Sequence, residues 1–213
     1  MPTTNSYKIS TKRKNLFLRV AKGHFATNHS HINYYIDVTT QKTRLSEAQA
    51  VAEELVSYYN HSTIVDTILC LDGTEVIGTC LAEALTRGNF VSINAHQTIY
   101  VLTPEHTTGS QLIFRDSLLS AIKDKHVLIL AASVTTGYTA KSAVEAIQYY
   151  GGSVAGIASI FATVDECAGY RVQSVFDPKD LNDYASYQSH ECPLCKAGQR
   201  IDALVNSFGY SKL

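Results

Sequence analysis

The sequence predicts an α/β fold in which helices flank a mostly parallel sheet. Three observations carry this. Apolar runs alternate with segments of helical spacing, the order that crossover units impose. The runs 63–71, 126–130 and 153–162 are nearly continuous in apolar residues, as strands covered on both faces are. The first of these ends at Asp72-Gly73 and the second runs toward the hydroxyl-rich stretch Ser133–Thr139. In such sheets ligands sit at the carboxyl ends of strands.

Taken in order, the chain starts irregularly, and Asn33–Val38, aromatic and β-branched, reads as a strand. Ser46 opens a helix, with Gln49 completing a capping box. Leu45, Ala48, Val51, Ala52, Leu55 and Val56 recur at helical spacing up to about Tyr59. The strand 63–71 follows, then a helix from Thr74 to Leu85 closed by Arg87-Gly88-Asn89. Gln97–Leu102 is a strand and Thr103–Ser110 a polar loop. After the strand His126–Leu130 and the loop Ser133–Thr139, the stretch Thr139–Tyr150 is helical and stops at Gly151-Gly152. Ser153–Ala162 returns as a strand. From Phe176 onward the chain is polar and reads as a small accessory segment. The loops 72–75, 103–110 and 131–139 are therefore the candidate ligand loops.

Composition narrows the function. Of 213 residues, 45% are apolar and 17% charged, enough to bury a core and too apolar for global disorder. The net charge of -1 lacks the basic excess of a nucleic-acid binder. No apolar run reaches membrane-spanning length, and Met1–Val20 has no apolar h-region of a secretory signal. The 5 cysteines, odd in number and scattered, point to a reducing, cytoplasmic setting.

The most informative segment is Val127–Ala140, a buried strand leading through Thr135-Thr136-Gly137-Tyr138-Thr139 into a helix. Backbone N–H groups at a helix start, threonine hydroxyls and a flexible glycine make an anion cradle suited to a phosphate monoester. An ordinary strand-to-helix turn, its threonines capping the helix, is the competing reading.

Here the sequence resembles the type I phosphoribosyltransferases, most of all the orotate phosphoribosyltransferases. The strand Leu128-Ile129-Leu130, the loop Thr135-Thr136-Gly137 and Thr139 match the family's central motif. Gly23-His24-Phe25, Tyr34–Asp37, Gly151–Gly156 and Glu191-Cys192-Pro193-Leu194-Cys195-Lys196 extend the likeness across most of the chain. The resemblance implies the type I phosphoribosyltransferase fold: a small N-terminal hood (1–45), a core (46–175) and an accessory C-terminal tail (176–213). It implies a role in nucleotide metabolism, a cytoplasmic homodimer, and a phosphate-bearing small molecule as ligand, with no nucleic acid and no membrane. Family members transfer ribose 5-phosphate from phosphoribosyl pyrophosphate to a base, with Mg²⁺. For this chain Mg²⁺ is expected only if phosphoribosyl pyrophosphate binds.

The resemblance also marks departures. Thr135, Thr136, Gly137, Tyr138 and Thr139 occupy the family's 5-phosphate positions and are the expected substrate-binding residues. The two acidic residues that hold the ribose hydroxyls are replaced by Ala131 and Ala132, and restoring aspartates at both is expected to tighten Mg²⁺-dependent binding. The family's basic mobile loop corresponds to Leu102–Gly109, which has no Lys or Arg; His106 stands near the family histidine and Glu105 carries the wrong charge. Glu75 reads as a first-turn acid favoured by the helix dipole. The family's base-reading Asp-Arg pair falls on Ala162 and Thr163, with Arg171 too distant to replace it. No catalytic residue is therefore assigned, and transfer is expected to be weak or absent. The alternative is a non-catalytic nucleotide- or ribose-phosphate-binding regulatory or partner subunit.

Two further constellations stand apart. His190, Cys192 and Cys195 have zinc-compatible spacing but lack a clear fourth ligand, with Cys167 the only remote cysteine at hand. Two reduced thiols in a tail motif, and no metal site, is the preferred reading. His24, His29 and His31 read as a solvated loop rather than a metal cluster, and Lys12-Arg13-Lys14 as a solvated surface patch.

Overall fold

The structure is a computed structural model and describes residues 6–10, 16–87, 92–95, 97–108, 111–206 and 209–213. Lys12-Arg13-Lys14, Gly88-Asn89 and Gly109-Ser110 lie outside the described residues. In chain order the elements are β1 (Ser6–Ser10), β2 (Phe17–Ala26), β3 (His31–Asp37), α1 (Thr39–Thr43), α2 (Leu45–Tyr59), β4 (Thr67–Cys70), α3 (Glu75–Thr86), β5 (Tyr100–Leu102), β6 (Glu105–His106) and β7 (Leu112–Ile113). They continue with β8 (His126–Val134), α4 (Tyr138–Tyr149), β9 (Ser153–Ala162), β10 (Glu166–Cys167), β11 (Tyr170–Phe176), β12 (Ser186–Tyr187), α5 (Pro193–Lys196), β13 (Ala203–Asn206) and β14 (Gly209–Lys212). The chain forms two compact units, residues 41–175 and residues 1–40 with 176–213.

The central unit has the α/β architecture expected. Its sheet runs β10-β11-β9-β8-β4-β5, and the β9-β8, β8-β4 and β4-β5 pairs are parallel. All four residues of β4 are buried, which is why Ile68–Cys70 reads as an unbroken apolar run. Leu69, Ile129 and Ile157 on adjacent strands pack with Ala140, Val144 and Ile147 of α4 in one apolar cluster. Parallel strands connected by helices put their carboxyl ends, and the loops that follow, on one edge of the sheet.

Local differences from expectation have local causes. Helix α2 starts at Leu45, not behind a Ser46 cap. Arg44 is extended, and its carbonyl accepts from the N–H groups of Glu47 (3.0 Å) and Ala48 (2.9 Å), with no side-chain cap. Ala48, Val51, Ala52, Leu55 and Tyr59 form the buried face, while Leu45 is exposed. Strand β8 continues four residues beyond Leu130. Ala131, Ser133 and Val134 pair with Ser159, Phe161 and Ala162 of β9, so the expected hydroxyl loop begins as strand at Ser133 and Val134. Helix α4 ends at Gly151 (φ 80°), and the Gly152 N–H donates to Ile147 O at 2.9 Å. A Cβ at Gly152 would come 2.7 Å from Ile122 O.

In the terminal unit both ends of the chain share one sheet, ordered β12-β3-β2-β13-β14 with β1 on β2. One apolar cluster in it joins Ala21, Phe25, Tyr35, Ala203 and Val205. Among the described residues, no helix is long and apolar enough to cross a membrane.

Candidate phosphate-binding site

Thr135, Thr136 and Gly137 form the turn between β8 and α4, and Tyr138 and Thr139 begin the helix. Gly137 is the N-cap residue with φ 74° and ψ 0°, the left-handed region that glycine enters without strain. It has no side chain with which to cap α4. Thr136, Tyr138 and Thr139 are exposed, Thr135 is half-buried and Gly137 is buried. The turn therefore presents hydroxyls beside the start of a 12-residue helix, where N–H groups lack intrahelical acceptors and the dipole favours an anion.

Two braces hold this turn. Thr163, just after β9, donates from Oγ1 to Thr135 O at 3.0 Å, and its N–H donates to Val134 O at 3.0 Å. Cys167 Sγ donates to Gly137 O at 3.3 Å. Burial pushes the Cys167 thiol up against the pull of Lys141, which keeps it a protonated donor. A Cβ on Gly137 would come 2.8 Å from Cys167 Sγ. Thus Thr163 and Cys167 fix the carbonyls on one side and leave the hydroxyls of Thr136 and Thr139 outward.

The other loops at the same edge carry charge in paired form. After β4 the chain turns through Asp72 (φ 58°) and Gly73 (φ 78°). Lys42, buried at 8% exposure, donates from Nζ to Asp72 O at 2.7 Å. Glu75 stands in the first turn of α3 and accepts from Thr103 Oγ1 at 3.1 Å. Beyond β5, Glu105 on β6 accepts a fork of hydrogen bonds from Arg115, at 2.9 and 3.0 Å from Nε and 2.6 Å from Nη2. The Arg115 guanidinium holds the Glu105 carboxyl below its usual range. Lys42 and Arg115 are the cations that the sequence reading missed. Lys42 lies 30 positions before Asp72 and Arg115 10 positions after Glu105, so both fall outside 102–109.

No family model matches the chain. The orotate phosphoribosyltransferase of Chlorobaculum parvum is 29% identical over 184 residues, covering 85% of this chain and 86% of that protein. A crystal structure of Mycobacterium tuberculosis orotate phosphoribosyltransferase superposes with a TM-score of 0.52 at 20% identity, over 78% of this chain and 93% of that one. Adenine phosphoribosyltransferase from Trypanosoma brucei superposes with a TM-score of 0.51 at 12% identity, over 76% and 78% of the two chains. The chain has the type I phosphoribosyltransferase fold.

Within this phosphoribosyltransferase fold the other residues singled out by sequence take definite places. Ala131 and Ala132 lie in β8 at 2% exposure each, and Ala131 belongs to the apolar cluster under α4. They offer methyl groups and no oxygen ligand, so this strand end does not fit a protein-held Mg²⁺. Ala162 is buried at the end of β9, and Thr163 braces the turn. His106 is exposed on β6. His24 and His31 are not on a solvated loop. The Thr27–Ser30 turn, closed by Thr27 N–H to Ser30 O at 2.8 Å, joins β2 to β3. His24 is fully buried and its ring meets that of half-buried His31 edge-on at 5.1 Å, while His29 is exposed in the turn. Cys167 braces Gly137.

Proposed function

We propose that the Thr135–Thr139 turn binds the phosphate of a ribose phosphate or nucleoside monophosphate, in a protein of nucleotide metabolism derived from an orotate phosphoribosyltransferase-like ancestor. The observation that carries this reading is the left-handed Gly137 at the start of α4. It is braced from one side by Thr163 and Cys167, and hydroxyls stand on the other. Such a turn supplies backbone N–H groups and hydroxyls to a phosphate without any side-chain charge. The Trypanosoma brucei relative is described in complex with AMP, pyrophosphate and ribose-5-phosphate, ligands of the same chemical class.

Transfer from phosphoribosyl pyrophosphate is weak or absent on this reading. Ala131 and Ala132 stand where the resembling family has carboxylates for the ribose hydroxyls. A hydrogen bond to a charged group is worth about 1.5–3 kcal/mol, and methyl groups supply none of it. Mg²⁺ would enter only with the pyrophosphate of a bound substrate. The reading is one of a ligand-binding, regulatory or partner subunit, dimeric like its relatives by resemblance.

Calorimetric titration separates the possibilities. Orotidine monophosphate is expected to bind in the micromolar range, with phosphoribosyl pyrophosphate no tighter in Mg²⁺ than without it. Mg²⁺-dependent micromolar binding of phosphoribosyl pyrophosphate, with turnover on any base, would overturn the non-catalytic part. Silence with both compounds, in a chain shown to be folded, would overturn the phosphate site.

A further inference from the structure

His24 on β2, His31 at the start of β3, and Cys192 and Cys195 around α5 place their ligand atoms within 4.8 Å of one another. We propose that these four residues bind one Zn²⁺ as a structural centre of the terminal unit. Four of the six ligand–ligand distances match the edges of a tetrahedron. His24 Nε2 lies 3.1 Å from His31 Nδ1, 3.5 Å from Cys192 Sγ and 3.6 Å from Cys195 Sγ; Cys195 Sγ lies 3.3 Å from His31 Nδ1. A tetrahedron with Zn–N of about 2.05 Å and Zn–S of about 2.3 Å has N···N edges of about 3.3 Å and N···S edges of about 3.5 Å.

Hydrogen bonding alone does not explain the cluster. His24 Nδ1 faces Gln199 O at 3.0 Å, so its proton sits there and Nε2 carries a lone pair. Three groups then converge on that single lone pair. A metal ion resolves the crowding, because it takes the Nε2 and Nδ1 lone pairs and two thiolates together. A backbone carbonyl on the far nitrogen is also the usual outer partner of a metal-bound imidazole.

The backbone is built to aim His24. Between the pairs Lys22–Tyr34 and Phe25–Ile32, Gly23 and His24 oppose the single residue Asn33, which is a β-bulge. Bulges re-aim a side chain. Asp202 clamps this one: its Oδ2 accepts the His24 N–H at 2.7 Å and its own N–H donates to His24 O at 2.7 Å. A Cβ at Gly23 would come 2.6 Å from that Oδ2. On the other side, Lys196 N–H donates to Cys192 O at 3.1 Å and Gly198 N–H to Cys195 O at 2.9 Å, curling both thiols toward the imidazoles.

Two thiols and two imidazoles suit Zn²⁺ and not Mg²⁺ or Ca²⁺, which take oxygen. Four protein ligands leave no open position, so the centre is structural rather than catalytic. A metal staple adds to the apolar contacts of Phe25, Tyr35 and Val205 in holding the terminal unit together. It ties the β2–β3 hairpin to the C-terminal segment.

The full chain, kept reduced and purified without chelator, is analysed for metal by mass spectrometry, then stripped and titrated with Co²⁺. About one zinc per chain is expected, with Co²⁺ giving the intense visible bands and thiolate charge-transfer band of tetrahedral coordination. Exposed Cys195 is the mild probe: Cys195→Ser should weaken Zn²⁺ binding by at least about tenfold and alter the Co²⁺ spectrum, and His31→Asn should do the same. Stripping should lower the Tm of the parent. A folded parent with under about a tenth of an equivalent of zinc and no tetrahedral Co²⁺ spectrum would overturn the proposal. An unchanged Co²⁺ spectrum in both variants would overturn it as well, by placing the metal elsewhere.

Discussion

Gly137→Ala tests whether the turn is held as described. The new Cβ faces two separate penalties. The first is conformational: φ 74° lies in the left-handed region, which costs a residue with a Cβ about 1–2 kcal/mol. The second is steric, since the Cβ would stand 2.8 Å from Cys167 Sγ. The thiol must move, which weakens its 3.3 Å bond to Gly137 O, and overpacking of this kind costs about 1–3 kcal/mol. The sum is about 2–5 kcal/mol. Cys167→Ala removes the steric part only, so in that background Gly137→Ala should cost about 1–2 kcal/mol. Urea denaturation of the four proteins in the cycle gives the coupling, expected at about 1 kcal/mol or more. Orotidine monophosphate titrations on the same proteins should show binding lost in Gly137→Ala in both backgrounds, because the φ penalty persists in each. A single-variant cost below about 0.5 kcal/mol would refute the reasoning, since that is the range of an unconstrained surface site.

The other predictions are shorter. Thr163→Val removes the donor to Thr135 O and should cost about 1 kcal/mol of stability, while weakening monophosphate binding several-fold by calorimetry; unchanged binding would count against the brace. Ala131→Asp puts a carboxylate into the apolar cluster and should destabilise by several kcal/mol at pH 7, less at pH 4 where the acid is neutral, rather than tighten binding; denaturation at the two pH values checks the sign. Asp66→Asn should flatten the acid limb of stability. Burial raises the Asp66 carboxyl, but the His126 backbone N–H (2.8 Å), the His126 ring (2.9 Å) and Lys125 outweigh it, and the net shift is below its ordinary 3.8. A depressed carboxyl stabilises above its unfolded value and loses that contribution as pH falls through the folded one. The parent should therefore lead the variant by about 1 kcal/mol above pH 4 and converge with it at lower pH, a modest figure because the carboxylate is one-third exposed.

The parts of the fold legible in the sequence are those set by local pattern. Thr67–Cys70, Val127–Leu130 and Ile157–Ala162 are covered on both faces, so each is apolar at every position or nearly so. Helix α4 shows its buried face at Ala140, Ala143, Val144 and Ile147 and its stop at Gly151. What was hidden depends on partners far along the chain. β8 runs on to Val134 because β9 supplies pairs as far as Ala162, and nothing in Ala131–Val134 itself announces a strand. β2 was hidden for a different reason. Leu18 and Val20 alternate with less buried residues as a half-covered strand should, but the bulge at Gly23-His24 breaks the period. The same bulge hides the Cys-His cluster, since its ligands are separated by more than 160 positions until β13 lies beside β2. A Cys-x-x-Cys signal with two histidines on a hairpin is present, but the histidine that spacing offers is His190, and His24 and His31 take its place in the cluster.

On the proposed function, charge at the carboxyl edge of the central sheet is the reason that binding and transfer should part company. A phosphate monoester carries about −1.5 to −2 and has three acceptor oxygens, which a helix start and threonine hydroxyls match in number and in sign. A departing pyrophosphate develops more charge and needs cations that close on it as the bond breaks. Arg115 is poorly placed for that duty, because its guanidinium forks onto Glu105 and each neutralises the other. Lys42 is buried against the Asp72 carbonyl, so it stiffens the turn after β4 more readily than it follows a mobile leaving group. On that proposal, phosphate affinity from backbone dipoles survives such an arrangement, and transition-state stabilisation from these two cations does not. On the proposed function, then, salt should weaken ligand binding only mildly, since dipoles and hydroxyls at close range are screened far less than separated surface charges.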